Sequence, residues 1–303
     1  MGSTLNNGFD TMESSSSQTN LVNLVIPSES REEIKRNSVN LPSLIVPDQA
    51  VCDLELLSVG AFSPLDCFMG SDDYNSVLEQ MRLSNGNFFP QPVTLPVDIG
   101  GDIALDENVA LRNGKNELLA VMTVTEIFER NLKQESLGLK YPHVAQLQKL
   151  GPINISGKLK VLSSPEHQDF KDLRMTPLET RAKLAQFDNS NVISFQTSNF
   201  LHRSHEEFTK NVLSDINGVL LLQSVVGITK PGDSRHYTLI RAHQTLLEHY
   251  FDSSQVLLNV IPLALRFKRA RDVLLRLVVG KNYGATHAII ESDQELIDSP
   301  DLS

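Results

Sequence analysis

The chain has 303 residues with a net charge of −10, 40% hydrophobic residues and 21% charged residues. This length suits two domains, and the composition is that of a soluble globular protein. The acidic charge argues against a broad surface for nucleic acid or anionic membrane, and no apolar run is long enough to span a bilayer. Cys52 and Cys67 are too few for a disulfide framework or a metal site. They could pair, but two reduced thiols in the cytoplasm fit better.

The first half of the chain reads as a short arm followed by a β-rich domain. Residues 1–20 are rich in Ser and Asn, which predicts a disordered arm. Residues 21–170 contain short apolar runs broken by turns. The run NFFPQPVTLPVDI carries three prolines, which suit sheet edges and turns. The stretch DENVALRNGKNELLAVMTV predicts a hairpin around Asn113 and Gly114.

Residues 171–303 have a different pattern, in which apolar strands alternate with helices. The predicted strands are VISFQT (192–197), VLLLQSVVGI (219–228), QVLLNVIPL (255–263) and ATHAIIE (285–291). Because these runs are apolar enough to be covered on both faces, they predict a parallel sheet with crossover helices. Ligands of such sheets bind beyond the carboxyl ends of the strands.

Two histidines follow the first of these strands in the stretch FQTSNFLHRSHEEF. If a helix begins near residues 199–201, with Ser198 or Asn199 as its cap, His202 and His205 share one face of its first turns. The helix N-terminus favours an anion, and two imidazoles add donors for phosphate oxygens. The same spacing also fits a polar helix face with satisfied histidines. A metal site lacks a visible third ligand, so no bound metal is expected.

For two further histidines and for the densest basic cluster, the sequence allows both a functional and a purely structural interpretation. His236 could face a pocket or solvent, while His287 is better explained as a core histidine within its strand. The basic cluster could contact phosphate or form a solvated face, and its members are Arg266, Lys268, Arg269 and Arg271.

Several motifs, in order along the chain, resemble one family. FQTSNFLHRSH is similar to the FQTRNPxHRAH segment of the ATP sulfurylase (sulfate adenylyltransferase) family. The resemblance covers roughly residues 40–293. Its other motifs are CDLELLSVGAFSPLDCFMG, LRMTPLETRAKL, VVGITKPGDSRHYTLIRAHQTLL, IPLALRFKRARD and GKNYGATHAII.

The resemblance implies a fold and an activity. The expected fold is a PUA-like β-rich domain over residues 21–170 and a nucleotidyltransferase α/β domain over residues 171–303. The implied reaction converts MgATP and sulfate to adenylylsulfate and pyrophosphate, with no covalent enzyme intermediate. Catalysis would then rest on positioning and charge stabilisation. The implied partners are ATP and sulfate or another small anion, and a homo-oligomer is compatible with the resemblance.

Site roles are implied residue by residue. His202 and His205 would hold the ATP phosphates, with Asn199 beside them in the catalytic set. The nucleotide-binding set implied by the resemblance consists of Gln196, Thr197, His202, His205, Arg266 and Arg271.

The chain also departs from the family pattern at two positions that would bind sulfate and at one where the backbone would approach the nucleotide. Two family arginines are Ser198 and Ser292 here, and a family glycine is Glu291. A hydrogen bond to a charged group contributes about 1.5–3 kcal/mol, so losing two such arginines removes about 3–6 kcal/mol. This corresponds to roughly a hundredfold to ten-thousandfold in affinity. We therefore expect an impaired sulfate step.

Two alternatives remain open at this point. The chain could be a non-catalytic nucleotide-binding or regulatory module of a fused polypeptide, or it could transfer the adenylyl group to another acceptor. The sequence ends at Ser303, short of the C-terminal subdomain of most family members. Whether it is a fragment of a longer or fused protein is therefore also open.

Overall fold

Two five-stranded sheets organise the chain in its computed structural model. The structure describes residues 9–13, 20–98, 103–138, 149–162, 167, 169–187, 189–227, 235–266 and 269–291. One sheet is built from the first half of the chain. The other is built from the second half, with one strand added from near the N-terminus. The expected β-rich domain followed by an α/β domain with a parallel sheet is confirmed.

The first sheet has the strand order β2-β4-β5-β6-β3. Its pairs are antiparallel except for β2 with β4. Its strands are β2 (Ser43–Ile45), β3 (Leu95–Val97), β4 (Asn108–Arg112), β5 (Leu118–Glu129) and β6 (Ile153–Val161). Its helices are α1 (Ser28–Asn37), α2 (Asp48–Ser58), α3 (Ser71–Gln80) and α4 (Leu132–Gly138).

The hairpin predicted around Asn113 and Gly114 connects β4 to β5. The Asn113 side-chain oxygen accepts hydrogen bonds from the backbone N–H groups of Lys115 at 3.0 Å and Glu117 at 2.9 Å. The left-handed residue of this turn is Asn116, with φ of 64°. The local Asn-rich turn therefore sets the register of the long β4–β5 ladder.

The second sheet has the order β1-β10-β7-β8-β9, and the last four strands run parallel. All side chains of β7 and β8 are buried, because helices and the first domain cover both faces. The strands are β1 (Phe9–Glu13), β7 (Val192–Thr197), β8 (Val219–Val225), β9 (Val256–Ile261) and β10 (His287–Glu291). The helices are α5 (Pro177–Leu184), α6 (Arg203–Ile216), α7 (Arg235–Tyr250) and α8 (Arg269–Asn282).

The strand β1 corrects one prediction. Residues 1–20 were predicted as a disordered arm, but Phe9–Glu13 pairs antiparallel with β10 over five residues. The physical reason is that β10 would otherwise present unpaired backbone groups at the sheet edge. A Ser- and Asn-rich arm can satisfy them, since backbone pairing needs few buried side chains.

One hydrophobic core cluster contains residues from both halves of the chain. Phe62, Phe89 and Tyr74 from the first half belong to the same buried cluster as Leu221 and Val279 from the second. Because this core is continuous, the carboxyl edge of the second sheet lies beside elements of the first domain. That arrangement positions the residues described next.

Candidate functional site

The predicted histidine pair lies where β7 gives way to α6. The strand ends at Thr197, as predicted, and α6 begins at Arg203 with His202 as its N-cap. The helix therefore starts later than predicted, and neither Ser198 nor Asn199 caps it. Residues 198–201 form an irregular connection instead, in which the Asn199 N–H donates to Thr197 Oγ1 at 3.1 Å.

His202 and His205 lie side by side at the start of α6. Their ring centroids are 5.7 Å apart, and the His202 backbone N–H donates to His205 Nδ1 at 3.1 Å. Because Nδ1 is the acceptor in this bond, the neutral His205 ring carries its proton on Nε2. The same ring stacks against Phe195 of β7 at 6.3 Å between centroids. The cap contact therefore orients His205 and fixes which nitrogen donates.

The exposed groups of this region can serve an anion. The side chains of Ser198, Asn199 and His202 are exposed, and His205 is half-buried. They surround the N-terminus of a 14-residue helix, where the positive end of the helix dipole favours negative charge. Imidazole N–H groups and an amide can donate hydrogen bonds to phosphate oxygens.

Gln196 and Thr197 do not join these exposed groups. The Gln196 side chain is 4% exposed, and its Nε2 donates to Gln223 Oε1 at 3.0 Å and to the Arg276 carbonyl at 2.9 Å. Thr197 is fully buried and bonds to Asn199 through Oγ1. Strand alternation turns Gln196 toward α8, on the face opposite Phe195 and His205. Both side chains are therefore buried apart from the exposed groups, and their direct contact with a nucleotide stays a prediction.

Arg266 and Arg271 are also placed differently from the prediction. Arg266 is 7% exposed, and it donates to Asp53 Oδ1 at 3.2 Å and to the Pro92 carbonyl at 2.7 Å. Arg271 donates to the carbonyls of Val77, Leu78 and Pro90 at 2.8–3.1 Å. Both guanidinium groups therefore join the second domain to the first. Their role as nucleotide ligands stays a prediction, and in this structure acceptors of the first domain hold both groups.

Sequence reasoning missed His243 as part of this region. It lies on α7, is 1% exposed, and contacts Ser224 Oγ at 2.7 Å and the Asn199 carbonyl at 3.1 Å. Burial lowers the pKa of His243, which keeps the ring neutral. One sequence signal was available: His243 shares the apolar stripe of its helix with Leu239 and Leu247, where a histidine needs buried partners.

Comparison with known proteins places the chain in a family. A PUA-like domain model matches residues 14–164, and the ATP-sulfurylase model matches residues 171–297. The chain is 33% identical to a sulfate adenylyltransferase of Synechococcus sp. (strain JA-3-3Ab), over 90% of this chain and 71% of that protein. It belongs to the ATP sulfurylase (sulfate adenylyltransferase) family.

Other members of the ATP sulfurylase family match at similar levels. The sulfate adenylyltransferases of Mycosarcoma maydis and Schizosaccharomyces pombe are 35% and 34% identical, over 86% and 87% of this chain. The chain spans 47% and 56% of their lengths, which is about half. A solved structure, described as a hexameric APS kinase from Thiobacillus denitrificans, has a TM-score of 0.75 and 28% identity, covering 88% of this chain and 50% of that one.

This ATP sulfurylase-family chain also has a cavity of about 400 Å³ between its two domains, beyond the ends of β8 and β9. His236 Nε2 contacts Asp169 Oδ2 at 2.9 Å, and Arg174 contacts Asp169 Oδ1 at 3.2 Å. Burial acts to raise the pKa of Asp169, but Arg174 and His236 outweigh it and lower that pKa. His167 bonds to Glu55 of α2 at 2.9 Å. Two histidine–carboxylate pairs thus line a cavity that is separate from the exposed histidine pair.

Some predicted positions have no described side chain. Ser292 lies outside the described residues. Of Glu291, the last residue of β10, only the backbone is described. Lys268 also lies outside them. Within the described ranges, no cluster of three His, Cys, Asp or Glu residues is arranged to hold a metal ion. The same part of the chain contains no helix that is both long and apolar enough to cross a membrane.

Proposed function

We propose that this chain binds MgATP with its phosphates at the N-terminus of α6, and that its sulfate-dependent adenylyl transfer is very slow or absent. The observation that carries the proposal is the bond from the His202 N–H to His205 Nδ1 at 3.1 Å. It directs the His205 proton to Nε2, in a ring whose centroid lies 5.7 Å from that of His202. The pair then offers oriented donors at a helix end that already favours phosphate.

The chemistry assigned to the two histidines is charge stabilisation. In adenylyl transfer an acceptor oxygen attacks the α-phosphorus, and negative charge accumulates on the departing pyrophosphate. Donors that are already aimed at that charge lower the barrier more than mobile water does. Mg²⁺ would arrive with ATP as part of the substrate. Asn199, exposed beside the pair, is the further donor in this proposal.

The sulfate end of the site is the weak part. Ser198 is exposed immediately after β7, where the family has an arginine. A serine hydroxyl is shorter than a guanidinium group, carries no charge and cannot bind an oxyanion through two parallel bonds. The loss of one such contact costs about 1.5–3 kcal/mol in anion binding. Water in its place would have to reorganise during the transfer step.

The first experiment measures nucleotide binding by calorimetry. We expect wild type to bind MgATP, and each charge-assisted bond lost in His202→Ala/His205→Ala to weaken binding by about 1.5–3 kcal/mol, roughly tenfold to a hundredfold. His249→Ala is the matched control, because His249 is exposed on the last turn of α7, away from the pair. No binding by wild type, or equal affinities in all three proteins, would contradict the proposal.

The second experiment follows pyrophosphate release from MgATP with and without sulfate. We expect the two rates to be the same within error. A sulfate-dependent turnover of roughly 1 per second or more lies within the ordinary enzyme range and would overturn the proposed impairment. Pyrophosphate release that depends on another small anion instead of sulfate would favour transfer of the adenylyl group to a different acceptor. Binding without any release would favour a non-catalytic module.

Location and assembly are part of the same proposal. Cys52 and Cys67 are both free thiols, which supports a reducing compartment such as the cytoplasm.

The structural relative is described as hexameric, so we infer a homo-oligomer for this chain as well. Light scattering of the purified chain tests the assembly, and a monomer at all concentrations would contradict it.

A further inference from the structure

His243 connects three elements at the carboxyl edge of the second sheet. It lies on α7, its Nδ1 is 2.7 Å from Ser224 Oγ near the end of β8, and its Nε2 is 3.1 Å from the Asn199 carbonyl oxygen. Asn199 lies 44 residues away along the chain, in the connection between β7 and α6. The imidazole therefore bridges a buried strand and the connection that leads to the histidine pair.

The two partners determine the tautomer of this ring. A carbonyl oxygen can only accept a hydrogen bond, so Nε2 of His243 must carry the proton and donate it to Asn199. Nδ1 is then unprotonated and accepts a hydrogen bond from the Ser224 hydroxyl. Burial lowers the pKa of His243, in agreement with a neutral ring that has two satisfied nitrogens.

The bond from His243 is the second of two hydrogen bonds that hold the backbone of Asn199. The Asn199 N–H donates to Thr197 Oγ1 at 3.1 Å, while its carbonyl accepts from His243 Nε2 at 3.1 Å. The two bonds hold the peptide units on either side of the Asn199 Cα, so rotation about its backbone dihedrals is restricted and the residues around it keep one orientation. Those residues are Ser198, the Asn199 side chain and His202, which are all exposed at the candidate anion site.

We propose that His243 is a positioning residue, which orients the connection 198–202 for anion binding through the bond from its Nε2–H to the Asn199 carbonyl. The inference rests on the proposed nucleotide site. His243 lies beneath the connection and is 1% exposed, so it acts through Asn199 without touching the ligand. A ring that merely filled the core would be replaceable by any side chain of similar volume. A positioning ring requires the donor at Nε2.

The experiment compares His243→Gln with His243→Met. These side chains have similar length and volume, but only Gln keeps an N–H donor at the position of Nε2. By calorimetry with MgATP, we expect His243→Met to bind about tenfold more weakly than wild type and His243→Gln to bind within about threefold of wild type. Melting curves verify that both variants are folded at the working temperature. Equal affinities of the Gln and Met variants would overturn the proposal.

A second measurement needs no ligand, so it separates this inference from the proposed function. Nitrogen-15 NMR of wild type should show His243 protonated at Nε2 and unprotonated at Nδ1. Amide exchange in residues 199–202 should be faster in His243→Met than in wild type and close to wild type in His243→Gln. A ring protonated at Nδ1, or unchanged exchange in the Met variant, would refute the positioning role. Absence of MgATP binding in wild type would refute the proposed function alone.

Discussion

Three histidines close to the carboxyl edge of the second sheet differ in what surrounds their rings. His202 is exposed, His205 is half-buried with Nδ1 bonded to a backbone N–H, and His243 is buried with a partner on each nitrogen. The same residue type thus has three roles: His202 is an exposed donor, His205 is an oriented donor, and His243 is a neutral ring that supports the connection above it. Burial and hydrogen-bond partners decide between these roles, and they are the quantities that a substitution at each position changes.

The pH dependence of stability should report the buried histidine. Burial lowers the pKa of His243 from its ordinary value of 6.5, so below pH 6.5 the unfolded chain binds a proton that the folded protein does not. This contribution to stability is complete above pH 6.5 and is lost as pH falls toward the lowered pKa, at no more than about 1.4 kcal/mol per pH unit. Urea unfolding at several pH values should show a shallower acid-side loss for His243→Met than for wild type. Identical slopes would contradict the assigned burial effect.

The position of Ser198 allows a direct test of the missing charge. Ser198→Arg restores a guanidinium group beside the histidine pair, so sulfate-dependent pyrophosphate release should rise, by about tenfold for each 1.4 kcal/mol regained. Ser204→Arg is the control, because Ser204 is exposed in the first turn of α6 and gains the same charge. A similar increase in both variants would mean that net charge, and not placement, is responsible.

At the scale of elements, α5 shows how a short helix is anchored between the domains. Thr176 caps it with a complete capping box: Thr176 Oγ1 accepts from the Glu179 N–H at 3.2 Å, and Glu179 Oε2 accepts from the Thr176 N–H at 2.8 Å. From the body of the helix, Arg181 donates to the Asn282 carbonyl at 2.8 Å. Asn282 in turn donates to the carbonyls of Ala61 and Ser63. The cap therefore supports a chain of bonds that reaches the first domain.

Removing this cap should have a measurable cost. Thr176→Ala loses the side-chain acceptor for the Glu179 N–H, and caps of this kind contribute about 1 kcal/mol, with a range of roughly 0.5–2 kcal/mol. Thr176→Ser keeps a hydroxyl and should remain close to wild type in the free energy of unfolding. The prediction fails if chemical denaturation finds the Ala and Ser variants equally stable.

At the scale of the whole molecule, two arginines hold the domains together across the shared core. Arg266 pairs with Asp53 of α2, and Arg271 donates to carbonyls at the end of α3. Burial raises the pKa of Asp53, and the charge of Arg266 offsets part of that rise. A buried ion pair is a weak source of net stability, but removing one partner leaves the other charge without compensation.

Breaking this pair from one side should destabilise the whole chain. We expect Arg266→Met to lower the free energy of unfolding by about 3–5 kcal/mol at neutral pH. Asp53→Asn/Arg266→Met should lose less, because no uncompensated carboxylate remains at position 53. The deficit of the single variant should also shrink as pH falls, since an uncompensated buried carboxyl takes up a proton. Equal deficits in the single and double variants would show that packing, and not charge, is responsible.

The local patterns of the sequence determined much of the fold. The fully buried strands β7 and β8 follow from their apolar runs, and the β4–β5 hairpin follows from Asn113 and Gly114. The end of β7 at Thr197 and the closeness of His202 to His205 follow from the strand-to-helix change and a spacing of three residues. These features depend on contacts between near neighbours in the chain, which a sequence displays directly.

The remaining features were decided by tertiary contacts. Arg266 lies 213 residues from Asp53, Arg271 lies 194 residues from Val77, and His243 lies 44 residues from Asn199. No local pattern shows whether a basic cluster meets a phosphate or a buried carbonyl, since the charge and the spacing are the same in both cases. The pairing of β1 with β10 likewise depends on a tertiary feature, namely the backbone groups of β10 that would be unpaired at the sheet edge. The sequence therefore determined which side chains stand at the site, and packing between distant segments decided which of them are exposed there and which support it.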